Sequence, residues 1–160
     1  MAAADDLPPD ALATWSSLAT LLEWLPAALD AQLQRDAGLT HFEYGILYAL
    51  SHADDGRLRM SKLAGYAHSS LSRLSRAATR LEARGYLRRE TDPEDGRYTV
   101  AILTDEGAVA RRAAGPGHVE LVNRLVLERL TVAQQRQLGV ITGRILTAIG
   151  DEPGWNPAKA

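Results

Sequence analysis

Ser69, Ser70, Ser72, Arg73 and Arg76 fall within eight residues and combine two kinds of group that hold nucleic acid. Short hydroxyls can approach phosphate oxygens, and arginine offers a planar fork that pairs with guanine O6 and N7 in a major groove. Further along, Arg97 follows the turn-forming run Asp92-Pro93-Glu94-Asp95-Gly96. A guanidinium beside such a tip suits a minor groove, where the potential is strongly negative. Asp95 lies two residues before Arg97 and could hold that guanidinium in position, although simple turn formation would also explain it.

To act together these groups need a helix and a hairpin beneath them, and the spacing predicts both. Leu71, Leu74, Ala78 and Leu81 recur at steps of three or four, which places them on one buried stripe of a helix. Ser72, Arg73, Ser75, Arg76 and Arg80 then point elsewhere. Ser69 or Ser70 is a suitable N-cap, and Gly85 sits where a left-handed residue would end the helix. A short helix from Met60 to Ala67 precedes it. Leu87 to Thr91 and Tyr98 to Leu103 follow with strand character, the second rich in β-branched and aromatic residues. On its own, the helix could carry an ordinary solvated arginine-rich face. Followed directly by a hairpin wing, it reads as a winged helix-turn-helix that binds duplex DNA.

Charge is partitioned to match. Ten lysines and arginines against five acids give Arg57 to Leu103 a local +5, within a chain of formal charge −2. A basic segment is therefore mounted on an acidic scaffold, and phosphate neutralisation needs only the local patch. At 160 residues and 46% hydrophobic content the chain suits one globular domain with a lobe attached. It has no cysteine, which excludes disulfides and thiolate metal sites. No run approaches the length of a membrane span, and the acidic start MAAADD lacks the basic region of a signal peptide, so the cytoplasm is the expected location.

Helices flank the basic segment on both sides. One is expected from about Asp10 to Ala37, between Pro8-Pro9 and Gly38. A second opens on the capping box of Thr40 and Glu43. After the wing, Thr104 can cap a helix that Gly115-Pro116-Gly117 should break or kink, with a resumption from His118 to Leu130. Thr131 and Gln134 then box the last helix, which runs to about Ile149. The fold class is mainly α (α+β). Such long apolar helices around a small winged unit exceed what one interior can bury, so association with a second copy is expected.

The run LRMSKLA, SLSRLSRAATRLEARGYLRRE, Asp95-Gly96-Arg97 and LTDEG resembles the MarR (multiple antibiotic resistance regulator) family of winged helix-turn-helix transcription factors. The resemblance covers about residues 10 to 149. It implies a DNA-binding lobe over 40–103, a helical dimerisation region from 10–38 and 104–149, and flexible ends at 1–9 and 151–160. It also implies a homodimer on a palindromic operator, usually a repressor, often released by a small aromatic or anionic effector. Carried over, the recognition-helix positions are Ser69, Ser70, Ser72, Arg73 and Arg76, with Arg97 as the wing arginine. Many members carry a second basic residue where Gly96 stands. Its absence, with Glu94 nearby, implies a shallower minor-groove contact. The Gly-Pro-Gly interruption departs from the continuous helix of many members and implies a kinked lever.

An effector site in this family lies between the dimer helices and the lobe. Here it would draw on Trp15, Trp24, His41, Tyr44 and Tyr48, residues that could equally be core. The histidines His41, His52, His68 and His118 are scattered without ligand spacing, so neither a metal nor a cofactor is expected. No nucleophile elbow, phosphate-binding glycine loop or H-E-x-x-H motif points to an enzyme. The competing reading is a dimeric helical module that binds a small molecule or protein and has lost operator recognition.

Overall fold

The computed structural model describes residues 7–150. Of the ends expected to be flexible, 1–6 and 151–160 lie outside the described residues, and Pro9 is already helical. Helix α1 (Pro9–Ala37) begins on a proline, whose missing N–H costs nothing in a first turn. It ends at Gly38, whose φ of 62° lets its N–H turn back to the Gln34 carbonyl. The expected capping box opens α2 (His41–Ser51): Glu43 N–H donates to Thr40 Oγ1, and Thr40 N–H donates to Glu43 Oε2.

Then come β1 (Arg57–Arg59), α3 (Met60–Tyr66), α4 (Leu71–Ala83), β2 (Leu87–Thr91), β3 (Thr99–Leu103), α5 (Asp105–Leu125) and α6 (Val132–Ile149). The three strands form an antiparallel sheet in the order β1-β3-β2. Strand β1 is an addition to the two strands expected. Arg57-Leu58-Arg59 is too short and too charged to show an alternating pattern, and it becomes a strand by pairing Leu58 opposite Ala101.

One core lies beneath α2, α3, α4 and the sheet. Its fully enclosed side chains include Leu39, Ile46, Leu47, Leu63, Leu74 and Leu81. Leu71 departs from the stripe assigned to it: as the first residue of α4 it projects past the core and is 55% exposed, while Ala77 is buried instead.

The Gly115-Pro116-Gly117 break is also corrected, because α5 runs unbroken through it. Pro116 removes one N–H bond, but packing of α5 along α1 and α2 holds the helix together. Gly117 eases that approach, since a Cβ there would stand 3.1 Å from Gln32 Nε2. The helical path breaks later, at Val126, and Leu127–Arg129 is a single 3-10 turn rather than part of a helix reaching Leu130.

Where α4 ends, the chain is knitted to α5. Gly85 adopts φ 73°, and Thr104 Oγ1 donates to its carbonyl at 2.6 Å while accepting the N–H of Gly107. Among the described residues no helix is long and apolar enough to cross a membrane. Helix α6 buries none of its side chains within the chain, and the first half of α1 is likewise exposed.

Candidate nucleic-acid interface

The turn before α4 is tight. His68 takes a left-handed φ of 41°, and Ser69 N–H reaches back to the Ala64 carbonyl. Ser70, one of the two serines considered, is the N-cap: its Oγ accepts the N–H of Arg73 at 3.2 Å and lies 3.1 Å from Ser72 Oγ. With Leu74, Ala77, Ala78 and Leu81 facing the core, Ser72, Arg73 and Arg76 are exposed at the opening of the helix. Ser69 is half-buried and donates only a long 3.5 Å bond to the Ser70 carbonyl.

Arg80, placed on the outward face by its spacing, does something else. Its Nε donates to Glu43 Oε1 at 2.6 Å, and that carboxylate is buried. Both oxygens of Glu43 are thus engaged, one by the start of α2 and one by α4, so the attitude of α4 is fixed against α2. Glu43→Ala is expected to destabilise the fold by about 2 kcal/mol through the loss of charge-assisted bonds. A denaturant midpoint unchanged from wild type would contradict this role. The spacing rule that placed Arg80 outward could not register a partner 37 residues away.

The wing is pinned in the same manner. Arg89 on β2 donates to Glu82 Oε2 through Nε and Nη2 at 3.0 and 2.6 Å, and to Thr79 Oγ1 at 3.1 Å, tying β2 to α4. That pairing holds the Glu82 carboxyl below its usual range. At the tip, buried Asp92 accepts the Glu94 N–H and, at 2.6 Å, the Nε of Arg59. The Arg59 guanidinium lies over the Tyr98 ring, 4.6 Å from its centre. Asp95 grips Arg97 through Nε at 2.9 Å and Nη2 at 2.6 Å, and also accepts its backbone N–H. Both Asp92 and Asp95 are held below the usual carboxylate range, Asp92 chiefly by the Glu94 N–H and Asp95 chiefly by Arg97. The Arg97 side chain is nevertheless 81% exposed, so the clasp orients it without covering it. Exposed pairs of this kind add little stability, and orientation is their effect.

A cleft of about 960 Å³ opens between α1, α2, α5 and the start of α4. His41, Tyr44, Gly45 and Tyr48 line it at steps of three and four along α2, with Phe42 beside them. The Tyr44 and His118 rings lie 4.7 Å apart, and His41 and His118 5.5 Å apart. His118 Nδ1 is buried with no hydrogen-bond partner. Burial pushes the pKa of both histidines below the ordinary imidazole value. Asp30 lies at one end, its Oδ1 accepting the His41 N–H, and Arg73 lies near the α4 end.

Trp15 and Trp24 lie elsewhere in the single chain. At 52% and 75% exposed they belong neither to this cleft nor to the core, because α1 runs beyond the lobe before Pro26. Phe42, Asp30 and His118 were missed. His118 could not have been found from spacing, since it enters the cleft only because α5 continues past Pro116. Among the described residues no three potential ligands converge on a metal position.

This geometry has close counterparts. Residues 37–97 match the profile of the MarR family. The crystal structure of Sco3205, a MarR family transcriptional regulator from Streptomyces coelicolor, in complex with DNA, is 42% identical. It aligns over 94% of this chain and 100% of that one, with a TM-score of 0.88. The chain belongs to the MarR family. AbsC, a MarR family transcriptional regulator from the same organism, is 32% identical over 90% of this chain and 97% of its own, with a TM-score of 0.86. The transcriptional regulator BldR from Sulfolobus solfataricus shares the fold at 23% identity and a TM-score of 0.75. Among curated protein sequences none matches. The chain is thus a MarR-family transcriptional regulator with a DNA-binding winged helix, and Sco3205 and AbsC are likewise transcriptional regulators.

Proposed function

We propose that this MarR-family regulator acts as a homodimer on a palindromic operator, as a repressor whose hold on DNA responds to a small molecule. The observation that carries the reading is the opening of α4, where an N-capped turn presents Ser72, Arg73 and Arg76 to solvent above a buried stripe. In this reading Ser69, Ser70 and Ser72 approach phosphates, Arg73 and Arg76 reach base edges, and Arg97 enters a minor groove under the control of Asp95. Residues 40–103 form the lobe that meets DNA, and 10–38 with 104–149 join two chains. A similar regulator solved with DNA supports the partner class. Two recognition helices in successive major grooves must stand about 34 Å apart.

The cleft is the place for the effector, with His41, Tyr44 and Tyr48 on its wall. It borders both the long helices and the start of α4, so an occupant that fits one spacing of the lobes better than another shifts their population by its differential affinity. Repression then falls when the favoured spacing no longer matches the operator.

The experiment is a gel shift with DNA selected from a random pool, repeated across a salt series. Arg97→Ala is expected to weaken binding and to reduce the dependence of log K on log salt by about one unit of slope, the signature of a lost phosphate-region contact. An unchanged affinity would remove the wing from the interface. A wild-type protein that enriches no sequence at moderate ionic strength would overturn the reading as a whole.

A further inference from the structure

Phe42 lies on α2, half-buried and packed against the core of the lobe, and the Arg73 guanidinium lies over its ring, 4.5 Å from the ring centre. No hydrogen bond from the Arg73 side chain to any described residue is present, although Arg80, Arg84, Arg89 and Arg97 are each bonded to carboxylate, carbonyl or hydroxyl oxygens. Arg73 is also exposed at the third position of α4. An arginine stacked on an aromatic face keeps the in-plane N–H groups of its fork free, whereas one bonded to a carboxylate has spent some of them. A long side chain at an exposed helix start otherwise samples many rotamers, each of which must be frozen before a base edge is read.

We propose that Phe42 is a positioning residue for DNA recognition, a platform on α2 that holds the Arg73 fork in place and unpaired before the duplex arrives. The inference rests on the proposed role of Arg73 at a base edge and names the residue that sets its geometry. Phe42 belongs to the lobe rather than to the long helices, so the platform travels with α4. It also forms part of the cleft wall together with Arg73. An occupant of the cleft that displaced the ring would therefore act on the reading arginine directly, in addition to any change in lobe spacing.

A stacked cation is worth about 0.5–1 kcal/mol at an exposed site, which corresponds to about a 2- to 5-fold change in affinity for each chain bound. The test is a double-mutant cycle on the duplex selected from a random pool, read by titration. Phe42→Leu is expected to weaken the selected duplex by about 2- to 5-fold per chain and random duplex less. Phe42→Tyr, which keeps the ring, is expected to bind as wild type, and Phe42→Leu is expected to change nothing further in an Arg73→Ala background. Equal loss in both backgrounds, no loss, or tighter binding by Phe42→Leu would overturn the proposal. A second measurement needs no DNA and no variant fold: the Arg73 side-chain methylene protons of the wild-type protein should resonate upfield under the Phe42 ring current. Their absence from that region would overturn the proposal on its own. Should the wild type select no duplex, the proposed function falls first, and that failure is distinct from a normal operator titration with no coupling between Phe42 and Arg73.

Discussion

Replacing Ile145 with aspartate is expected to leave the protein monomeric and to weaken operator binding by about 100-fold or more. Helix α6 carries Ile141, Ile145, Leu146 and Ile149 at 53%, 40%, 55% and 61% exposure, and buries no residue against its own chain. The first half of α1 adds Leu12, Trp15, Leu21 and Leu22, all exposed. Two helices with this much apolar surface need a covering partner, and a second copy of the chain is the economical one. On the proposed palindromic operator a monomer would occupy one half-site only, and forfeit the gain from delivering the second recognition helix at high effective concentration. Sedimentation velocity gives the oligomeric state, and titration of the selected duplex gives the affinity. A dimeric Ile145→Asp variant would remove α6 from the interface. A monomeric variant with wild-type affinity would show that two-fold binding is not what holds the operator.

Gly107→Ala is expected to destabilise the folded chain by about 3 kcal/mol, an overpacking effect at the upper end of the usual range. Gly107 sits in the first turn of α5, and a Cβ there would collide with the Tyr86 carbonyl while standing 2.9 Å from Leu103 Cδ1. Backbone cannot retreat as a side-chain tip can. The same carbonyl accepts the N–H of Thr104 at 3.2 Å, so any shift also loosens the cap that joins the end of α4 to α5. The check is the midpoint of urea unfolding together with its slope. A stability within about 0.5 kcal/mol of wild type would mean that the close approach relaxes freely.

These results separate what local pattern can encode from what only packing decides. Capping boxes at Thr40 and Thr131, the left-handed ends at Gly38 and Gly85, and the helix–turn–helix–wing order all follow from residues within a few positions of one another. Such features were legible because their partners are near in sequence. The LTDEG run was legible as a family resemblance, but its reason, the contact of Gly107 with Tyr86, appears only when α5 meets the end of α4.

Gly115-Pro116-Gly117 misled for the opposite reason. Local propensity favours a break there, and the packing of α5 against α1 and α2 outweighs it. Arg80 and Arg59 were also beyond reach, since their carboxylates lie 37 and 33 residues away. At the cleft, the α2 wall of His41, Tyr44 and Tyr48 follows helical spacing, whereas Trp15 and Trp24 share only composition with it and sit elsewhere. Aromatic content marks where a pocket wall or a partner contact is needed, but not which of the two.

The most direct test is to select duplexes from a random pool with the full chain and then weigh the complex by sedimentation equilibrium. Two chains on one inverted repeat, with half-site centres separated by about one turn of the double helix, is the expected result. A single chain per selected duplex, or enrichment of sequences with no two-fold symmetry, would contradict it.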